Sequence, residues 1–446
     1  MGKILDQTNR KSKPELTTLL GCILVALLVC YAHIRGSTML IIASLLLYVV
    51  FHLWTCSNDL GFSALLFFLP WSPLLKVYRG GISIFTIALL LTCLIALWKR
   101  GFAFELYQVI LTAVLMGLTL IAKAIQGNTI ANNYLLFLAM LLLFPCVVKE
   151  HGINSNFWYL TLFFSLGIIT AALSAQRVAG YGGIAQYIKV DSYQTITRLS
   201  GYYGDPNFYS AHITACLAGV QILLSCERER RRQLLLSAIA VALIYCGLLS
   251  ASKSFILVAV CLFIVWIPIL LERGNRSGKA RVVVGIVCVG IIMLSSSAFQ
   301  SLLRIVDDRF SYSANISQLT TGRTDLWKKY IEEFLHNAPL TLLGEGYTSV
   351  TLDGFASHNT VIQGIFQFGI IGFPIFLTWV YLSLKSTFVK YVNIKANWKF
   401  ALLMCVGVVL PWMALDLLFF DEFFLLPAYA MVGILYVFRK KQGIHD

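Results

Sequence analysis

Four side chains in this sequence stand where anion chemistry is easy: Arg198, Lys253, Arg323 and His358 each occupy a short polar stretch beside an apolar or amphipathic run. The first stretch, "TRLSGYYGDPNFYSAHI" at 197–213, sets Arg198 a few residues ahead of Asp205 and Pro206. Asp is a favoured N-cap and Pro suits a first turn, so the pair predicts a helix start with an apolar span following at once. A helix N-terminus beside an arginine attracts an anion twice over, through its dipole and through the charge. Gly201 and Gly204 permit a tight path between them, and Tyr202 and Tyr203 suit an interfacial aromatic belt. Capping accounts for Asp205 and Pro206 equally well. It does not account for Arg198.

The second stretch is "TTGRTDLWKKYIEEFLHNAPLTLLGEGY" at 320–347. Leu326, Trp327, Tyr330, Ile331, Phe334 and Leu335 recur at helical spacing, which predicts an amphipathic helix from Thr324 to Leu335 lying on the bundle or the membrane interface. Thr324 is its expected cap, Asp325 suits its first turn and Pro339 follows its end. A cation at a helix N-terminus is unfavourable unless an anion or carboxylate shares the site. Arg323 is such a cation, and Asp325 and Glu345 are the nearby carboxylates that could pair with it.

The third, "GFASHNTVIQGIFQFGIIGF" at 354–373, offers Ser357 as the cap of a span and places His358 in its first turn. An imidazole is suited to general-base work, and at a membrane end it meets both water and headgroups. The other histidines, His33, His52, His151, His212, His336 and His445, have no comparable setting. Lys253, in "SASKSF" at 250–255, is a further cation in a turn between two spans, where simple snorkelling would also place it. Walker loops, HExxH, Cys/His metal spacings and DxD pairs are all absent from the sequence, so neither a metal nor another cofactor is expected.

Positioning these groups falls to membrane helices. Of 446 residues, 58% are hydrophobic and 13% charged, about half the charged share of a soluble domain. Mean hydropathy is +0.78. Spans read at 16–32, 38–54, 60–75, 82–98, 105–123, 131–148, 157–175, 205–226, 234–250, 254–271, 282–300, 358–384, 400–418 and 421–438 predict an all-α polytopic membrane protein with about 12–14 transmembrane helices. The 60–75 span is the weakest, broken by "FFLPWSP". No cleavable signal peptide is expected. The basic clusters "WKR", "KEHG", "ERERRR", "ERGNRSGKAR", "KSTFVKYVNIKANWK" and "RKK" all fall on the side of the basic N-terminal tail. By the positive-inside bias, both termini are cytoplasmic. The net charge of +14 therefore reflects topology and not a nucleic-acid partner. Eleven cysteines without CxxC spacing read as small buried hydrophobes.

The single membrane domain, 1–446, then turns two long segments outward, 176–204 and 301–357. Both break the charge bias, the first with Arg177, Lys189 and Arg198, the second with Arg304, Arg309, Arg323, Lys328 and Lys329. Long loops can escape the bias; an anionic ligand at the outer membrane surface explains the charges more simply.

Taken in order on one face, "RLSGYYGDPNFYS", "GRTDLW" and "SHNTVIQGIFQFGIIGF" resemble the O-antigen ligase/polymerase superfamily over residues 195–375. These are bacterial inner-membrane glycosyltransferases that join glycans carried on undecaprenyl diphosphate. The resemblance implies catalytic roles for Arg198, Arg323 and His358, with the arginines on the donor diphosphate and His358 as base. It implies substrate contacts from Lys253, Tyr202, Tyr203, Asp205, Asn207 and Asn359. Many relatives carry "SR" where this chain reads Ser252 and Lys253; lysine keeps the charge and loses the bidentate fork. Implied partners are an undecaprenyl-diphosphate-linked oligosaccharide donor, a glycan or lipid-linked acceptor and the bilayer, with a chain-length regulator as an additional candidate. The expected function is a polysaccharide polymerase. A ligase differs only in acceptor, and a flippase would need charged or broken helices near the midplane and internal repeats.

Overall fold

The structure is a computed structural model and describes residues 2–100, 105–131, 133–154, 156–188, 191–193, 196–198, 200–273, 300, 304, 307, 320, 322–348, 351–388, 394–418 and 420–441. Among the described residues, ten helices precede the large loop: α1 (Gly2–Arg35), α2 (Thr38–Ser57), α3 (Gly61–Phe68, extended by a 3-10 turn, Leu69–Leu74), α4 (Ile84–Arg100), α5 (Leu106–Gln126), α6 (Tyr134–Asn154), α7 (Phe157–Val178), α8 (Pro206–Cys226), α9 (Arg230–Leu249) and α10 (Lys253–Arg273). Five follow: α11 (Arg323–His336), α12 (Ala338–Leu343), α13 (Thr360–Phe388), α14 (Ile394–Val408) and α15 (Glu422–Lys441). Among the described residues, nine helices have the length and apolarity to cross a bilayer, and four shorter apolar ones join them, Gly61–Leu74, Ile84–Lys99, Tyr134–Phe144 and Trp398–Ala414. The all-α expectation holds, apart from one hairpin, β1 (Asp191–Tyr193) with β2 (Ile196–Arg198). Of the 282–300 span only residue 300 is described.

Contacts sort the helix ends into two sets. At one end Lys99 of α4 reaches Asp59 at 2.8 Å, Lys399 of α14 pairs with Glu272 of α10, and Arg232 lies over Trp158. At the other end His33 bonds the Leu74 carbonyl at 2.8 Å, Arg79 the Gln186 carbonyl at 3.1 Å, and Thr86 the Asp421 carboxylate at 2.8 Å. Among the described residues, the first end carries the basic clusters at 98–100, 149–152, 227–232 and 439–441. The second carries every stretch with candidate chemistry.

α8 and α15 form the middle of the bundle: 83% and 78% of their apolar windows are buried, against 28% for α5, α9 and α10. Helices in lipid gain little from hydrophobicity and associate by close packing of small residues. α8 supplies Ala211, Ala215, Ala218 and Gly219, all buried. A Cβ on Gly219 would collide with the Tyr429 hydroxyl, so glycine there lets α15 approach. Tyr429 then spends its hydroxyl on Thr161 at 2.9 Å.

Three expected boundaries shift. The 400–418 span is a helix only to Val408; a 3-10 turn (Leu410–Ala414) and extended chain complete it. α11 starts at Arg323 behind Gly322, whose φ is +78°, so Thr324 lies inside the helix and is not its cap. α13 starts at Thr360, and Asn359 caps it with bonds from Val361 N at 2.9 Å and Ile362 N at 3.2 Å; Ser357 does not cap it. α13 also breaks at Gly369, φ +63°. The freed carbonyls of Phe366 and Gln367 accept Glu345 N at 2.8 Å and Gly346 N at 2.9 Å, which is how a membrane helix tolerates a break.

Candidate active site

The site is a set of helix beginnings tied together by short polar side chains. Asp205 caps α8 as expected: its Oδ1 accepts Asn207 N at 2.8 Å and Asn207 Nδ2 at 2.9 Å. The Asn207 amide oxygen in turn accepts Ser252 Oγ at 2.8 Å and Ser254 Oγ at 3.3 Å. This binds the start of α8 to the start of α10, where Lys253 is the first helical residue and half-buried. Ala251 beside it takes φ +47°, in the tight turn that leads from α9 into α10.

On the other side stands α11. The amphipathic prediction is right in phase, and of its two settings the bundle is the one observed. Tyr330 and Phe366 meet edge to face at 5.1 Å, with Leu326, Phe334, Leu340, Leu352 and Ile362 packed around them. Trp327 Nε1 donates to the Ser357 carbonyl at 2.9 Å and Tyr330 Oη to the Phe355 carbonyl at 2.8 Å. α11 therefore holds the segment that carries His358.

A residue that sequence reasoning did not select completes this arrangement. Asp416, buried in the linker before α15, accepts Ser357 Oγ at 2.6 Å, His358 N at 2.8 Å and Asn359 N at 2.9 Å. Next to it Thr360 Oγ1 donates to the Leu415 carbonyl at 2.6 Å and accepts Leu417 N at 3.2 Å. With its backbone pinned this way, His358 sits at φ +50°, outside the helix, not in its first turn. The imidazole is half-buried and takes no hydrogen bond among the described residues.

Arg323 lies within electrostatic reach of both carboxylate anchors. Burial lowers its pKa, and Asp205 and Asp416 oppose that shift. Guanidinium stays charged under any ordinary condition. Neither carboxylate forms an ion pair with it, nor do Asp325 and Glu345, and among the described residues its donors are uncommitted. Glu345 instead accepts Asn128, and burial raises its pKa. Asp353 pairs with Lys329 at 3.3 Å on the surface.

The remaining expected residues divide. Arg198 ends β2, paired in register with Asp191; its side chain lies outside the described residues, as do Lys189 and Arg309. Arg177, Arg304, Lys328 and Lys329 are exposed. Asn207 and Asn359 spend their amide oxygens on structure, as above. Tyr202 is buried against Trp71 at 5.3 Å and donates to Ser174 Oγ at 2.8 Å. Tyr203 donates to Glu422 Oε1 at 2.6 Å. Both tyrosines hold the turn from inside and do not form an interfacial belt, although both line a cavity of about 1190 Å³ that opens at this end. Arg323, His358 and Asp416 lie outside that cavity; it meets their cluster at Gly204, one residue before the α8 cap.

Taken together, Arg323, Lys253 and the α8 N-terminus can stabilise an anion, and the free imidazole can take a proton beside it. The described residues contain no group of His, Cys, Asp and Glu fit to hold a metal. Residues 238–377 match the family model of O-antigen ligase. That segment includes Lys253, Arg323 and His358 and supports the superfamily resemblance. No curated protein matches the sequence.

Proposed function

We propose that this chain, which carries an O-antigen ligase domain at 238–377, joins glycan units supplied on undecaprenyl diphosphate at the outer face of a bacterial inner membrane, as a polysaccharide polymerase. The matched domain supports a membrane glycosyltransferase of the ligase/polymerase type. The observation that carries the finer reading is Arg323: a half-buried guanidinium whose donors are uncommitted among the described residues, within reach of the charge of two carboxylates that are themselves hydrogen-bonded. Such a group is set up for a ligand rather than for a salt bridge.

In the proposed reaction an acceptor hydroxyl oxygen bonds to the anomeric carbon while the bond from that carbon to the diphosphate oxygen breaks. The electron pair leaves with undecaprenyl diphosphate, and the hydroxyl proton goes to the His358 ring. Arg323, Arg198 and Lys253 offset the negative charge that develops on the leaving group, a task preorganised cations perform well in a site of low dielectric. Attack opposite the leaving group inverts the anomeric centre. With basic clusters inward, the site faces outward and both termini are cytoplasmic.

The family description favours a second acceptor, a lipid core or other terminal acceptor, in which case the protein is a ligase. Glycan length in cells lacking the protein separates the readings. Single repeats at the surface mark a lost polymerase. Long unattached chains mark a lost ligase, and absence of any outward repeat would overturn both in favour of a transporter.

A further inference from the structure

The large cavity at the site end takes no part in the chemistry above. Its walls come from the 72–83 segment, the start of α6, the 185–188 turn and the start of α15. At about 1190 Å³ it exceeds the roughly 300–1,000 Å³ of a drug-sized pocket, so an oligosaccharide fits where a single small molecule would rattle.

Its charged lining is two adjacent carboxylates, Asp421 and Glu422, with two cations, Lys76 and Arg79. Thr86 reaches one oxygen of Asp421 at 2.8 Å. Tyr203 and His212 share one oxygen of Glu422, at 2.6 and 3.1 Å. Among the described residues the second oxygen of each takes no hydrogen bond, although Glu422 is only 2% exposed. Neither second oxygen is sealed from solvent, so each can accept from a group that enters the cavity. Tyr187, on the same wall, is buried, and its hydroxyl has no partner among the described residues. These groups call for a ligand rich in hydroxyls.

Other occupants fit worse. A prenyl chain would strand both carboxylates in hydrocarbon, and a diphosphate would meet them as like charges beside the two cations of the lining, of which Arg79 already donates to the Gln186 carbonyl. A sugar donates hydroxyl hydrogens to carboxylates and lays its C–H faces on rings such as Tyr347 and Phe137, both in the wall. We propose that this cavity is the subsite for the sugars of a glycan substrate, held by hydrogen bonds from their hydroxyls to Asp421 and Glu422. The inference rests on the glycan-joining reading and extends it to recognition. Gly204 lines the cavity and Asp205 begins the transfer centre, so a glycan lying here reaches the α8 cap.

The test uses the full-length protein in nanodiscs and two probes, undecaprenyl diphosphate without sugar and the free glycan released by mild acid from the lipid-linked intermediate of the cells that make this protein. Asp421→Asn should weaken the free glycan at least tenfold and leave undecaprenyl diphosphate within twofold. Gln186→Trp, at an exposed position on the cavity wall, should block the glycan by bulk without disturbing the core. Unchanged glycan affinity in both variants overturns the proposal. Cavity-dependent glycan binding with no Arg323-dependent binding of undecaprenyl diphosphate overturns the transfer reading instead and leaves this one standing. Competition of the free glycan against lipid-linked donor assigns the cavity to the donor's sugars, and its absence assigns it to the acceptor's.

Discussion

Replacing His358 by glycine separates the two demands made on that position. The residue sits at φ +50°, which costs an L-residue roughly 1–2 kcal/mol. Glycine avoids that cost but frees the unfolded chain by roughly 0.5–1 kcal/mol. The backbone N–H that reaches Asp416 at 2.8 Å survives in any variant, and the ring has no described partner to lose. Alanine keeps the left-handed cost and gives up the imidazole. His358→Gly should therefore be more stable than His358→Ala, by up to about 1.5 kcal/mol on these figures. Both should lose the general-base contribution, roughly 10²–10⁴-fold in rate. Single-turnover transfer from saturating lipid-linked donor measures the second quantity, and thermal unfolding in the same detergent measures the first. Donor affinity should not move. Wild-type turnover in His358→Gly would refute the base assignment outright. Equal unfolding temperatures for the glycine and alanine variants would refute the pinned left-handed turn.

Asp416→Asn keeps the shape but sets an amide NH2 against a donor it cannot satisfy; charged hydrogen bonds of this kind are worth about 1.5–3 kcal/mol each. Folding stability should fall by roughly 2–4 kcal/mol, with turnover lost alongside; wild-type unfolding temperature and rate would remove Asp416 as the anchor. Arg323→Ala should weaken binding of undecaprenyl diphosphate about 10–100-fold, with Arg323→Lys restoring part of it, and equal affinity in all three proteins would leave the guanidinium structural. Gly369→Ala adds a Cβ that meets the Leu342 carbonyl and the Gly344 nitrogen at φ +63°, so it should cost about 2 kcal/mol or more; an unchanged unfolding temperature would show that the helix break does not need glycine.

The apolar spans were legible because hydropathy alone selects them, and Asp205 was legible because its cap is local: donor and acceptor lie two residues apart. Asp416 was not, since it lies 57 to 59 residues from the three groups it anchors. No periodicity or spacing encodes such a pairing. One signal was available. "ALDLLFFDEFF" at 414–424 puts Asp416, Asp421 and Glu422 within a run otherwise apolar, and an ionisable residue among membrane spans is by default a functional candidate. The choice between Ser357 and Asn359 as cap was equally out of reach locally. Both can cap; a distant carboxylate claims Ser357 and leaves the helix to Asn359.

The Asp416 anchor has a consequence for inheritance. The segment that matches the ligase family ends at 377, and the carboxylate holding its histidine lies beyond it, as the Asp205 and Asn207 anchors lie before it. The transplantable unit is thus discontinuous. A recombinant that exchanged 238–377 alone with a relative would import Lys253, Arg323 and His358 into a bundle whose residues at 205–207 and 415–417 had been shaped for other partners. The three pieces must travel together, or drift together, for the imported histidine to find its place.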